Sequence, residues 1–258
     1  MVVRVFASGS SGNCLLVSDG DTHILIDAGI SMRRIHAYLS LCSLTWRDIT
    51  GVLITHEHSD HIMGLPMLVR HHALPVYAPH TLAARLLGAV PALQDALCII
   101  PVGEPFPLGK TSVMAFHTPH DTDESVGYRI EGSAVYAHAT DTGSVTEELV
   151  AGLLGADTAL LEANHDLTML RDGPYPFYLK KRILSARGHL SNADCAALAR
   201  TLAESGTRRV ILGHLSDVNN RPELAEATVR AALDGMETEL YCTTPDGLLT
   251  VPVGDEPC

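Results

Sequence analysis

Apolar residues come in short runs along most of this chain, broken by glycine, serine and aspartate. Runs over 2–6, 14–17 and 23–26 predict three strands, punctuated by Ser8-Gly9-Ser10-Ser11-Gly12-Asn13 and by Asp19-Gly20. The run over 51–55 has an apolar centre, Val52-Leu53-Ile54, as a strand buried on both faces requires. Further strands are predicted over 76–78, 98–100, 112–116, 126–130, 134–137, 158–161 and 209–212. Helical spacing predicts helices over 31–39, 81–87, 146–154, 192–204 and 222–233, with Ser191-Asn192 as an N-cap. A β-rich first half and strand–helix alternation after it predict an α/β fold of two sheets with helices outside. No repeat, low-complexity tract or linker divides the chain, so one domain over 1–258 is expected, ending in a loose tail at Gly254-Asp255-Glu256-Pro257-Cys258.

Composition narrows the class. A chain of 258 residues, 46% apolar and 19% charged, can bury a sizeable core and is not a disordered polymer. No apolar run approaches the roughly 18–20 residues that span a bilayer. The start, Met1-Val2-Val3-Arg4-Val5-Phe6, reaches its Gly/Ser turn too early for a secretory signal, so a cytoplasmic protein without a membrane partner is expected. Six scattered cysteines with no C-x-x-C pair read as reduced thiols. Eighteen Lys+Arg against 30 Asp+Glu leave a charge of −12, which excludes a protein that simply coats nucleic acid with positive charge. Histidine is the unusual component, with 14 in a chain that has 4 Phe and 1 Trp.

Three of those histidines fall in Thr55-His56-Glu57-His58-Ser59-Asp60-His61, directly after the doubly buried strand. Imidazole nitrogens and carboxylate oxygens are ligands for zinc, manganese or iron at neutral pH. His56 and His58, two residues apart on an extended segment, can share one ion. Asp60 and His61, on the next turn, can face a second.

This H-x-H-x-D-H loop after a buried strand resembles the metallo-β-lactamase superfamily, and the other motifs of that family follow in order. The resemblance implies an αββα four-layer sandwich of two mixed sheets flanked by helices. It implies that Asp27, in Ile26-Asp27-Ala28-Gly29, holds the loop bearing His56 and His58 from behind. The lone ligand histidine of the third motif is assigned to His120 in Phe116-His117-Thr118-Pro119-His120-Asp121, with His117 as the alternative. Asp141 in Thr140-Asp141-Thr142-Gly143 would bridge two ions, and His214 after the strand over 209–212 would complete the set. The resemblance thus implies two divalent ions, zinc or manganese with iron possible as a third choice, on His56, His58 and His120 and on Asp60, His61 and His214. A hydroxide held between them would be the nucleophile.

Gly188-His189-Leu190-Ser191 before a helix is similar to ribonuclease Z and related phosphodiesterases. That likeness places His189 over the scissile phosphate, with Glu162 orienting it and Asp60 in the catalytic set. Together with the Ser8–Asn13 run, Glu162-Ala163-Asn164-His165-Asp166 and Asn219-Asn220, it looks like the YycJ/WalJ-type subgroup of nucleases. The implied activity is a 5′→3′ DNA exonuclease linked to mismatch repair, with DNA as partner. Ser10, Asn13, Asn164 and His165 are candidate substrate contacts. So are Lys180, Lys181 and Arg182, in a basic and aromatic stretch that begins at Tyr175. A phosphodiesterase acting on a small cyclic diester is the alternative, and a non-catalytic metal-binding scaffold a third. Oligomeric state is not legible.

Overall fold

The computed structural model describes residues 1–244 and 247–254. Beyond Gly254 the expected tail lies outside the described residues. Strands β1 (Val2–Ala7), β2 (Cys14–Asp19), β3 (Thr22–Ile26), β4 (Gly51–Leu53), β5 (Val76–Pro79) and β6 (Leu97–Ile100) follow one another across a first sheet. Strands β7 (Pro105–Leu108), β8 (Thr111–His117), β9 (Val126–Glu131), β10 (Val135–Ala139), β11 (Thr158–Glu162), β12 (Arg209–Gly213) and β13 (Glu239–Cys242) make a second, in the reverse spatial order. The last strand, β14 (Leu249–Pro252), returns to the first sheet and pairs antiparallel with β1. Both sheets are mixed: β3 to β6 are parallel in the first, and β10 to β13 in the second.

Side chains alternate between two environments along the inner strands, as a two-residue period requires. Leu160 and Ile211 join Val3, Leu15, Ile24 and Leu53 in the core between the sheets, whereas Leu161 and Leu212 face outward. The outer face of the first sheet is covered by α1 (Met32–Leu41), the four-residue α2 (Ser59–Ile62), α3 (Leu65–His71) and α4 (His80–Ala89), whose Ile35, Leu65, Leu82 and Leu86 are fully buried. Over the second sheet lie α5 (Glu147–Leu153), α8 (Asn192–Glu204) and α9 (Pro222–Ala232), with α6 (Leu167–Asp172) and α7 (Phe177–Ile183) in the loop before α8. The expected αββα layering is therefore observed. Cys14, Cys42, Cys98, Cys195 and Cys242 are free thiols, in line with the reduced state read from their spacing.

Strand β4 stops at Leu53, earlier than the predicted 51–55. The reason is local. The Thr55 N–H leaves the ladder and donates to Asp27 Oδ1 at 2.9 Å. Strand β7 was not predicted because Pro105 and Pro107 argue against a strand; it survives as an edge, paired only with β8. The predicted helix over 192–204 is found with those bounds, and the Ser191 hydroxyl accepts from the Asp194 N–H.

All the turns that carry the candidate site residues leave from one edge. Strands β8, β10, β11 and β12 run in the same direction, and the residues after them emerge beside the ends of β3 and β4. Cross-sheet bonds fix that juxtaposition: the Val126 N–H donates to the Thr55 carbonyl at 3.0 Å, and the Tyr128 hydroxyl to the Ile54 carbonyl at 2.5 Å. Gly29 lies where three backbones meet. Its N–H donates to the Asn13 carbonyl, the Asn13 N–H donates to the Asp60 carbonyl, and a Cβ on Gly29 would stand 1.6 Å from that Asp60 oxygen. Gly88, inside α4, has open space around its position. Gly29→Ala is expected to lower stability by about 3 kcal/mol or more, because the obstacle is backbone. Gly88→Ala is expected to raise it by about 0.5–1 kcal/mol through helix propensity. Thermal unfolding of the two variants checks the contrast.

Candidate metal centre

Asp27 sits at the end of β3 in the left-handed backbone region, at φ 60, with its carboxylate fully buried. Its Oδ2 is 2.7 Å from His61 Nδ1 and also accepts from the Thr55 hydroxyl, while Oδ1 holds the Thr55 N–H. Asp27 thus fixes the loop leading to His56 and turns His61 so that Nε2 faces the cleft. Asp141 (φ 53) and His214 (φ 54) share the left-handed conformation, so three of the four described non-glycine residues with positive φ stand at this one place. The conformation costs about 1–2 kcal/mol per residue. Its concentration here points to function rather than to chance.

The four-residue α2 follows His58, which caps it at the end of an extended segment, and presents Asp60 and His61 in its single turn. Two donor groups result. Nitrogens of His56, His58 and His120 lie within 4.8 Å of one another, and so do donor atoms of Asp60, His61 and His214. Asp141 stands between the groups: Oδ2 is 3.3 Å from His61 Nε2, and Oδ1 is 3.4 Å from His214 Nε2 and 3.8 Å from His120 Nε2. His117 points elsewhere, with Nδ1 on Glu148 at 2.8 Å. His120 is fastened instead by Nδ1 to the Gly188 carbonyl at 3.1 Å.

Behind the second group, Glu162 at the end of β11 is fully buried. Its Oε1 meets His189 Nδ1 at 2.7 Å and His214 Nδ1 at 2.9 Å, and its Oε2 accepts from the N–H groups of Thr142 and Leu190. One carboxylate therefore orients two imidazoles, and both present Nε2 outward.

Donors this crowded shift one another. Burial pushes the His56 imidazole well down, helped by the charge of His61, so it stays neutral with a free lone pair. Burial opposes the charge of His214, but Asp141, Asp60 and Glu162 overcome it and push the ring up to about 10. His189 is likewise raised against burial, by Glu162. Burial raises the Asp60 carboxyl, yet the His214 and His61 rings facing it hold it far below the usual range. His56 Nε2, His214 Nε2 and Asp141 Oδ2 are buried with no hydrogen-bond partner. Buried polar atoms left without partners are costly. Imidazole nitrogens and a carboxylate oxygen without other partners, aimed into one cleft, fit divalent metal ions that would displace the proton on His214.

A cavity of about 270 Å³ opens beside this centre and is lined by Ser10, Asn164, Arg182, His189, Asp121 and Tyr175 among others. The structure brings Ser10, Asn164 and Arg182 to the cavity. Asn164 also donates to the His214 carbonyl at 3.0 Å. The other candidate substrate contacts lie apart from it. The Asn13 amide is buried against Asp60 and His61, where its nitrogen is 3.3 Å from Asp60 Oδ2. His165 is buried with neither ring nitrogen bonded, and its carbonyl accepts from the Asn192 N–H. Lys180 donates to the carbonyls of Arg171 and Gly173, and Lys181 faces a separate groove.

Three contributors have roles that were not read from sequence. Asp121 Oδ1 is 3.3 Å from His120 Nε2 and 3.6 Å from His58 Nε2, and its Oδ2 pairs with Arg182. Arg187 clamps the His120 loop through the carbonyls of His120 and Thr122. Thr55 connects Asp27 to the metal-type loop. Adjacency to His120 was the available signal for Asp121, and Arg187 belonged to the basic cluster expected to hold phosphate, whereas it grips backbone carbonyls instead; Thr55 had no signal.

Two packed mixed sheets, with a His/Asp cleft at one shared edge, define a metallo-β-lactamase fold. A family model described as the beta-lactamase superfamily domain matches residues 22–215. The exodeoxyribonuclease YycJ of Bacillus anthracis is 38% identical, over 93% of this chain and 94% of its own length. The exodeoxyribonuclease WalJ of Streptococcus pneumoniae is 37% identical, over 94% of each. Zinc-bound PqqB from Methylobacterium extorquens superimposes with a TM-score of 0.74 at 21% identity, covering 98% of this chain and 100% of PqqB. The chain belongs to the metallo-β-lactamase superfamily and, within it, to the family of YycJ and WalJ.

The charge balance of the centre gives a pH prediction for metal-free protein. His214 is raised from 6.5 to about 10, so its contribution is complete below pH 6.5 and lost as pH rises through about 10. The Glu162 carboxyl is depressed from 4.5, against burial, by His189 and His214, so its contribution is complete above pH 4.5 and lost on acidification. In EDTA the unfolding temperature is expected to peak between those limits and to fall on either side. Added manganese or zinc is expected to abolish the alkaline fall by replacing the protons. Unfolding scans from about pH 2 to about pH 10, on the order of one per pH unit, check this.

Proposed function

We propose that the chain is a metal-dependent phosphodiesterase that removes nucleotides from the 5′ ends of DNA. The observation that carries the reading is the His189–Glu162 pair, packed directly against His214 and Asp141 of the two His/Asp donor groups, with His189 lining the adjacent cavity. Two divalent ions, zinc or manganese with iron as a further candidate, would supply Lewis acidity and an activated water near neutral pH. His56, His58 and His120 would hold one, Asp60, His61 and His214 the other, and Asp141 both.

The remaining steps belong to the chain's own residues. Glu162 holds His189 by Nδ1 and favours its protonated form, so Nε2 can give a proton to the leaving oxygen. Arg182 and Ser10 line the same cavity and supply donors for the phosphate. Arg182 is shared with Asp121, which holds the guanidinium in place until phosphate competes for it. The YycJ and WalJ relatives support DNA as the substrate, and a cytoplasmic setting follows from that assignment. A small cyclic diester is the second reading, favoured by the charge of −12 and by the modest cavity of about 270 Å³.

End-labelled single- and double-stranded DNA and RNA, incubated with manganese or zinc, separate these readings. DNA is expected to shorten from the 5′ end, and His58→Ala to abolish the reaction. His189→Ala is expected to lower kcat by about 10²–10⁴ while bound metal is retained. Intact DNA alongside turnover of a cyclic diester would establish the second reading instead.

A further inference from the structure

Only one face of α7 serves the cavity beside His189. At about 3.6 residues per turn, Leu179, Arg182 and Ile183 fall on one side of the helix, and these line that cavity. Phe177, Lys180, Lys181 and Leu184 fall on the other side, where they line a larger groove of about 640 Å³ with Arg171. Tyr178 stands on the crest between the two faces, flanked by Lys181 and Arg182 at helical spacing. Phe177 is 81% exposed and Tyr178 74%. Two adjacent aromatic rings this open to water contribute little to packing in the free chain. Residues 167–187 also hold five Lys/Arg and a single acidic residue, Asp172, a balance of +4 in a chain whose total is −12.

We propose that the crest of α7 is a base-stacking platform for a DNA strand whose scissile phosphate lies at His189. The proposal rests on the DNA reading above. A strand leaving the cavity passes Arg182, lays its next bases on Tyr178 and Phe177, and brings its phosphates to Lys181. The helix is about 10 Å long, so both faces are within reach of a few nucleotides. Aromatic rings flanked by cations are what single-stranded nucleic acid uses, since every base has a face to stack and every linkage a charge. A membrane or an apolar protein segment would also cover Phe177. An anionic membrane would also meet the basic residues, but neither it nor an apolar segment accounts for the continuity of the platform with the cavity through Arg182. DNA is the occupant that uses the rings, the cations and the cavity together.

The test compares metal-loaded wild type, the Phe177→Ala/Tyr178→Ala pair and the Phe177→Trp/Tyr178→Trp pair on labelled DNA and on bis(p-nitrophenyl) phosphate. The alanine pair is expected to raise KM for DNA by roughly tenfold or more. The tryptophan pair is expected to restore it, and turnover of the small diester is expected to stay unchanged in both. Because both side chains are exposed, the substitutions leave the core intact. An unchanged KM in the alanine pair, with wild type still digesting DNA, overturns the platform and leaves the nuclease reading standing. Wild type that neither binds nor cuts any DNA overturns both. Cosedimentation of wild type with anionic vesicles, lost in the alanine pair while KM for DNA is unchanged, assigns the rings to a lipid surface and overturns the platform.

Discussion

A carboxylate buried as deeply as Asp141 is tolerable only if its surroundings neutralise it. His61, His214 and His120 surround it, and these in turn need carboxylates behind them to set their rings. Asp27 does this for His61, and Glu162 for His214 and His189. The centre is therefore a closed chain of compensations in which no member is dispensable. The same arrangement is a store of correctly aimed lone pairs once divalent cations take over the role of the protons.

The fold exists to hold that chain together at one edge. Parallel strands bring Asp27, His56, Asp141, Glu162 and His214 out at their carboxyl ends, where α/β sheets generally place their ligands. The close approach of backbone at Gly29 and the left-handed turns at Asp27, Asp141 and His214 are local costs of that convergence. The hydrophobic core between the sheets offsets them. Under the proposed DNA reading, the cavity side of α7 would serve chemistry and its crest substrate hold, with 5 of the chain's 18 Lys/Arg gathered within residues 167–187.

Most of the fold was legible because inner strands carry an unmistakable apolar signal. Val52-Leu53-Ile54 is buried toward both layers, as its unbroken apolar run implied. Where the sequence misled, a specific interaction won. Thr55 left its strand for Asp27, and Pro105 and Pro107 disguised an edge strand. The short strands β13 and β14 lack a strong pattern because their side chains are largely intermediate in exposure. In the site, the compact stretch from His56 to His61 could be read directly, because ligand types were adjacent in sequence. The pairing of Asp121 with Arg182 and the clamp of Arg187 on the His120 loop could not, because those partners lie tens of residues apart. Lys180 showed the opposite limit: a basic residue in a basic run whose charge is used on the carbonyls of Arg171 and Gly173.

The most direct test of this account is anomalous diffraction from crystals grown with manganese or zinc. The account predicts two metal peaks flanking Asp141, one against His56, His58 and His120 and the other against Asp60, His61 and His214. No peak at either donor group, or metal bound only elsewhere on the chain, would contradict it.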